Sequence, residues 1–136
     1  MFGSMGTNAY AQVGVETGVA SADPHRLIGM LYDGLQQSLA QAREAMQEKQ
    51  IAQKGESISK SIRILEEGLR ASLDRQRGGD IAAQLDSLYE YMISRLLAAN
   101  LRNDMAALDE VKRLITELSD AWQAMPEDAK NSMAVA

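Results

Sequence analysis

Residues 24–49 read PHRLIGMLYDGLQQSLAQAREAMQEK, and this stretch decides the fold class. Its apolar residues fall within an arc of about 140° at 100° per residue, which is typical of an amphipathic helix facing a core. Asp23 is a good N-cap, and Pro24 suits the first helical position. We predict a first helix from about Pro24 to Lys49, with this stripe toward the core: Leu27, Ile28, Leu31, Tyr32, Leu35, Leu39, Ala42 and Met46.

Two further stretches have a helical period. The second helix is predicted from about Ile51 to Arg75, and Gly78-Gly79 should interrupt the helical structure after it. Asp80 can cap a third helix, from about Ile81 to Asn100, whose apolar residues cover an arc of about 180°. The second helix has a narrower seam, with an arc of about 80°, formed by Ile51, Gly55, Ile58, Ile62, Leu65, Leu69 and Leu73.

A fourth helix is predicted from about Met105 to Met125. Asn103 or Asp104 can cap its start, and Pro126 should end it because proline cannot continue a helix. Four long helices joined by short turns pack best as an antiparallel up-down bundle. We therefore predict an all-α protein.

The predicted bundle covers residues 23–125 and has a loose segment on each side. Four glycines interrupt residues 1–22, which we predict to be a mobile N-terminal segment. Residues 126–136 carry no helical period and are predicted to be a disordered tail.

Composition excludes several classes of protein. The chain has 136 residues, the size of one domain, and a net charge of −5 from 14 basic and 19 acidic residues. This charge argues against nucleic-acid binding, which needs clustered cations. The absence of cysteine excludes disulfides and thiolate metal sites. No targeting segment and no apolar run of about 20 residues is visible, so we expect a cytoplasmic protein without membrane insertion.

The sequence offers no set of catalytic groups. A di-metal site in a bundle needs Glu-x-x-His pairs, but the one histidine, His25, has alanine three positions before it. Nucleophilic catalysis needs a nucleophile, a base and an orienting group, and no such set can be argued here. Gly78-Gly79 lacks the Lys-Ser or Lys-Thr of a phosphate-binding loop. We therefore expect no enzymatic activity, no cofactor and no metal.

Some apolar residues exceed what a bundle core requires. Met30 and Ile64 lie off their helical seams, and the third helix has a second row of Tyr89, Ile93 and Leu97. This row has two equally weighted interpretations. It is buried against the fourth helix or the N-terminal segment, or it lines a groove that accepts an amphipathic helix from a partner. Four of the eight methionines, Met46, Met92, Met105 and Met125, are expected to fill the core.

Several motifs resemble the flagellin export chaperone family, FliS. The most specific is DPHRLIGMLYDG at 23–34, where Asp23 stands in place of the family's frequent serine and serves the same capping role. The resemblance covers about residues 9–122. The other motifs are AY at 9–10, SLD at 72–74, GGDIA at 78–82, LYEYM at 88–92, RLLAANL at 95–101 and AW at 121–122.

This resemblance implies a small helical bundle in the bacterial cytoplasm that binds the C-terminal segment of newly made flagellin. Such proteins keep flagellin monomeric and present it to the flagellar type III export gate, and some members also bind the flagellar anti-sigma factor. The alternative is a structural homo-oligomer in which the spare apolar rows pair with another copy. The candidate partner-binding residues are Tyr10, Val13, Met30, Ile64, Tyr89, Ile93 and Leu97.

The N-terminal segment suggests a mechanism of its own. Tyr10, Val13, Val15 and Val19 make it too apolar for a free tail, while its glycines make it too broken for a helix. We hypothesise that it covers part of the groove until flagellin displaces it, after which the export machinery can bind it.

Overall fold

The computed structural model describes residues 24–133, which form five helices and no strand. Predictions for residues 1–23, including the Asp23 cap and the mobile segment, lie outside the described residues. Four of the five helices are long, which confirms the predicted all-α bundle. The helices are α1 (Pro24–Gln47), α2 (Ile51–Arg63, continued by a π-helical segment, Ile64–Arg70), α3 (Arg75–Arg102), α4 (Met105–Ala124) and α5 (Glu127–Met133).

The long helices close a ring around one core. Helix α1 packs against α2 on one side and α4 on the other, and α3 completes the ring by contacting α2 and α4. The predicted stripe of α1 is confirmed at six positions, which are all buried, and the four methionines expected in the core are buried or pack against it. Those six are Ile28, Leu31, Tyr32, Leu35, Leu39 and Ala42.

The turns between the long helices are formed by residues with positive φ and by a helix cap. Lys49 adopts a φ of 56° between α1 and α2, and Asn103 adopts a φ of 53° between α3 and α4. Asp104 caps α4 by accepting a hydrogen bond of 3.1 Å from the backbone N–H of Ala107, as predicted for that position. These short turns keep consecutive helices antiparallel.

The third helix begins earlier than predicted. Asp74 accepts a hydrogen bond of 3.0 Å from the Arg77 backbone N–H, so the chain is helical from Arg75 rather than from Ile81. The predicted glycine break is real, but it is a kink inside α3, where Gly79 adopts φ 54° and ψ −129°. A positive φ is accessible to glycine at little cost, so the chain turns there without ending the helical run.

The predicted seam of the second helix is confirmed in part. Ile58, Leu65 and Leu69 are buried, and Ile62 and Leu73 pack against the core. The helix ends at Arg70, and over Ile51–Arg63 its buried positions are Lys54, Ile58 and Ser61, a stripe rotated by about 50° from the seam at 100° per residue. Ile51 is consequently 77% exposed. The buried hydroxyl of Ser61 is paired with that of Ser38 at 2.6 Å, which satisfies both polar groups inside the core.

The rotation of the inward face explains why Ile64 is in the core. The buried positions Lys54, Ile58, Ser61, Leu65 and Gly68 are spaced 4, 3, 4 and 3, so the helical period continues into the π-helical segment. Ile64 lies three residues after Ser61 and four before Gly68, so it belongs to this stripe and is 1% exposed. Gly68 permits the close approach of α1, since a Cβ there would lie 2.9 Å from Leu31 Cδ2.

A short helix follows Pro126, where disorder was predicted. Glu127 and Asp128 stand in the first turn of α5, where carboxylates complement the helix dipole. Lys130 Nζ lies 5.5 Å from the centre of the Trp122 ring, a cation–π contact between α5 and α4. The acidic first turn and the contact with Trp122 both stabilise α5, and neither can be predicted from the spacing of apolar residues.

Replacing a core leucine should cost much more stability than replacing an exposed one on the same helix. Leu96 is fully buried, so Leu96→Ala should lower the free energy of unfolding by about 2–5 kcal/mol. Leu101 is 81% exposed, so Leu101→Ala should change it by less than about 0.5 kcal/mol. Urea denaturation of both variants measures the difference, and equal losses would contradict the assignment of Leu96 to the core.

Candidate partner-binding surface

An apolar cleft opens at the end of the bundle where α1 begins and α4 ends. It holds about 620 Å³ including its opening, and its exposed lining is almost entirely apolar. All four long helices, with the turn before α3, contribute to it, so no single helix could have revealed it. The lining residues are Ile28, Tyr32, Leu69, Ser72, Leu73, Ile81, Leu85, Tyr89, Leu118, Ala121, Trp122 and Met125.

Two tyrosines form the buried part of this cleft. The hydroxyl groups of Tyr32 and Tyr89 are 2.5 Å apart, and either one can donate the hydrogen bond. Burial raises the pKa of the Tyr32 phenol, while the hydrogen bond with Tyr89 acts in the opposite direction. Both polar tips are therefore satisfied, and the rings offer apolar surface to a ligand.

Trp122 is held in place at the rim. Its Nε1–H donates a hydrogen bond of 3.1 Å to the backbone carbonyl of His25, which fastens α4 to the first turn of α1. His25 Nδ1 lies 3.4 Å from Glu127 Oε1, so the start of α5 joins the same corner. This network fixes the shape of one wall of the cleft.

An ionic cluster joins the opposite walls. Arg70, which follows Leu69, donates through Nε to Asp86 Oδ1 at 2.8 Å, and Asp86 lies next to Leu85. Arg75 Nη2 contacts the same carboxylate at 3.0 Å. Hydrogen bonds from Arg70 and then Arg75 lower the pKa of Asp86 to about 2. The cluster therefore clamps the π-helical segment to α3 beside the cleft.

Exposed apolar side chains also border the groove between α2 and α3. Gly55 lies beside Asn100, and because the helices run antiparallel with equal rise, Ile62 lies level with Ile93. Leu97 is 56% exposed and continues this line toward Leu101. We call the following residues the α2–α3 face: Ile51, Ile62, Ile93, Leu97 and Leu101.

The predicted row on α3 splits between core and surface. Tyr89 is buried in the cleft, Ile93 is half-buried and Leu97 is exposed. Residues spaced by four positions advance about 40° around a helix per step, so such a row winds from the inside to the outside. Tyr89 is therefore a core residue, and the interpretation of Ile93 and Leu97 as part of a groove for a partner stays a prediction.

The other predicted site residues do not lie together in the structure. Ile64 is a core residue and lies on neither surface, so its placement on a partner-binding surface was wrong. Met30 is half-buried on α1. Tyr10 and Val13 lie outside the described residues.

Sequence reasoning missed several residues of the surface. Ile81 and Leu101 are 58% and 81% exposed, and the cleft also includes Leu118 and Trp122. Ile81 did carry a signal, since it is a large apolar residue directly after a glycine break. The cleft residues of α4 gave no such signal in the sequence, because their spacing is that of an ordinary core-facing stripe.

Residues 24–133 lack two features that would indicate other functions. No helix in this range has the length and apolar character needed to cross a membrane. The same range contains no cluster of histidine and acidic side chains arranged to hold a metal ion.

Known proteins resemble this chain along most of its length. A family model described as flagellar protein FliS matches residues 6–129. The chain is 47% identical to the flagellar secretion chaperone FliS of Salmonella typhimurium, over 95% of this chain and 96% of that one. It is 47% identical to FliSB of Pseudomonas aeruginosa (92% and 98%) and 34% identical to FliS of Bacillus subtilis (90% and 88%).

Stability should depend on the Asp86 carboxylate at neutral pH and lose that dependence in acid. Its pKa of about 2 lies below the ordinary value of 3.8, so the ion pair stabilises the fold above pH 4 and is lost as the pH falls toward 2. Allowing for solvent screening, Asp86→Asn should cost about 1 kcal/mol at pH 6 and about a third of that at pH 2.5. Urea denaturation at both pH values measures this, with the exposed Asp80→Asn as the control. An equal loss at both pH values would contradict the ionic origin.

Proposed function

Because this chain belongs to the FliS family of flagellar secretion chaperones, we propose that it binds the C-terminal segment of newly made flagellin. It keeps that segment from polymerising prematurely in the bacterial cytosol and presents it to the flagellar type III export gate. The observation that carries this proposal is the apolar cleft, which exposes aliphatic and aromatic surface without a catalytic group.

The cleft suits an amphipathic segment. Such a segment buries its apolar side in a hydrophobic groove and keeps its polar side in water. A groove lined by Leu85, Leu118 and Trp122 offers apolar contact, and Ile81 extends it at the rim. A free segment with an exposed apolar face tends to self-associate, so covering that face is what a chaperone of this kind must do.

The α2–α3 face extends the proposed binding surface along the bundle. Leu97 and Leu101 are exposed on the outside of α3, beyond the end of the cleft. Ile81 and Leu97 lie 16 residues apart on α3, which places them about 160° apart around the helix, so the cleft and the α2–α3 face are reached on different sides of α3. Ordering a disordered segment consumes roughly 2–5 kcal/mol of the gross interaction, so a large apolar surface is compatible with later release.

The N-terminal segment is proposed to compete with flagellin. It enters α1 at Pro24, one turn before Ile28 in the cleft, so residues 1–22 are tethered beside the surface they would cover. Tyr10 and Val13 are the residues proposed to occupy it. Once displaced, they become available to the export gate, and the flagellar anti-sigma factor is a further partner for the same surface.

Charged substitutions on the two apolar surfaces should weaken binding without unfolding the protein. Ile81→Glu and Leu97→Glu change exposed residues, so their melting temperatures should stay near that of the unaltered protein. Each should weaken binding of a flagellin C-terminal peptide more than tenfold, or about 1.4 kcal/mol. Calorimetry measures the affinity, and Gln84→Glu, an exposed change on the same helix, is the charge control.

Three outcomes of this experiment are informative. Loss of binding for Ile81→Glu alone would restrict the site to the cleft, and loss for Leu97→Glu alone would restrict it to the α2–α3 face. Unchanged binding for both would refute the proposed surface. If light scattering shows that the unaltered chain is an oligomer and that either variant is a monomer, the surface serves self-association instead.

Removing the N-terminal segment should not weaken flagellin binding. A cover competes with cargo, so deleting residues 1–18 should leave the affinity equal or slightly higher and should raise binding of an apolar dye. Tyr10→Ala should spare flagellin binding and weaken docking of the loaded complex to the export gate. Calorimetry with the same peptide measures the first effect, and a large loss of affinity would make the segment part of the binding site.

A further inference from the structure

The end of the bundle opposite the cleft contains a second pocket with different chemistry. It lies where the α1–α2 turn meets the α3–α4 turn and holds about 810 Å³ including its opening. Its lining contains two lysines and no acidic residue, although the chain as a whole carries a net charge of −5. The lining residues are Ala45, Met46, Lys49, Gln50, Ile51, Lys54, Asn103 and Met105.

Lys54 is the unusual member of this pocket, because it is a charged side chain that is only 6% exposed. Its Nζ donates a hydrogen bond of 2.9 Å to the backbone carbonyl of Asn100 and a second one to Asn103 Oδ1. Both acceptors are neutral, and no carboxylate of residues 24–133 forms an ion pair with Lys54. The ammonium group is therefore balanced by the partial negative charge at the C-terminal end of α3 and not by a carboxylate.

The ammonium group also has unused hydrogen-bonding capacity. It has three N–H donors, and the two contacts with α3 and its C-terminal turn use two of them. The third is available to an acceptor that enters the pocket. Met46, Ile51 and Met105 supply apolar walls around it, so the pocket accepts an apolar side chain together with a negative group.

From this geometry we infer that the pocket binds the terminal carboxylate of flagellin, with the last apolar side chain against the methionines. This inference rests on the proposed function and adds the position and direction of the bound segment. The terminal carboxylate is the one anionic group that a C-terminal segment always carries. Capture of a chain-terminal carboxylate is a known mode of peptide recognition.

The α2–α3 face runs from the pocket toward the cleft, and the ionic cluster of Arg70, Asp86 and Glu90 lies between the face and the cleft. Ile51 belongs to both the face and the pocket, and Leu101 lies two residues before Asn103. From Ile28 in the cleft to Met46 in the pocket, α1 rises about 27 Å at 1.5 Å per residue. A helical segment of about 18 residues spans this distance. The bound segment then runs along the bundle with its chain end in the lysine pocket.

Two peptides that differ only at their ends test this inference on the unaltered protein. One is the flagellin C-terminal segment with a free carboxylate, and the other is the same peptide with a C-terminal amide. The amide should bind at least tenfold more weakly by calorimetry. Equal affinities would refute the carboxylate site and leave the proposed function intact, whereas no binding of either peptide would refute the proposed function itself.

Variants at Lys54 separate recognition from structure. Lys54→Met removes the charge and keeps the side-chain stem, so it should abolish the preference for the free carboxylate. Lys54→Arg should retain at least part of that preference, and Lys60→Met, further along the same helix, should retain all of it. If Lys54→Met weakens both peptides equally, Lys54 only supports the turns, and the inference is wrong. If Lys54→Met does not fold, the comparison of the two peptides on the unaltered protein and on Lys54→Arg still tests the carboxylate site.

Discussion

The apolar stripe of α1 is the constraint on which the rest of the bundle depends. Each of the other long helices is fastened to it by a specific contact. Gly68 lets the π-helical segment approach Leu31, Tyr89 of α3 shares a hydrogen bond with Tyr32, and Trp122 of α4 donates to the His25 carbonyl. Close packing tolerates few voids, so once α1 is placed the other helices have little freedom to rotate.

The two ends of the bundle differ because different groups close them. At the start of α1 the helix ends leave an apolar cleft, and the ionic cluster around Asp86 clamps the π-helical segment to α3 beside it. At the other end, two turns converge on the ammonium of Lys54 and leave a pocket without acidic residues. The two ends of the bundle therefore differ in chemistry, with apolar surface at one and positive charge at the other.

Sequence reasoning succeeded where one helix decides the outcome and failed where two helices decide it. The stripe of α1 and the cap at Asp104 depend on local spacing, and both were predicted. Ile64 was misplaced because the inward face of α2, set by its packing against α1 and α3, is rotated from the seam that the apolar residues alone predicted. The start of α3 was misplaced because either Asp74 or Asp80 can cap a helix, and a glycine can kink a helix without ending it.

The sequence by itself determined the helical class, the four long helices, and the family, because periodicity, caps and motifs are properties of neighbouring residues. Only the tertiary structure decided which surplus apolar residues are core and which are surface. The row of Tyr89, Ile93 and Leu97 passes from the cleft to the outside, since its side chains wind around α3 past different neighbours. Likewise, nothing local marks Lys54 as buried, because its burial depends on α3 and its C-terminal turn, about 46 to 49 residues away along the chain.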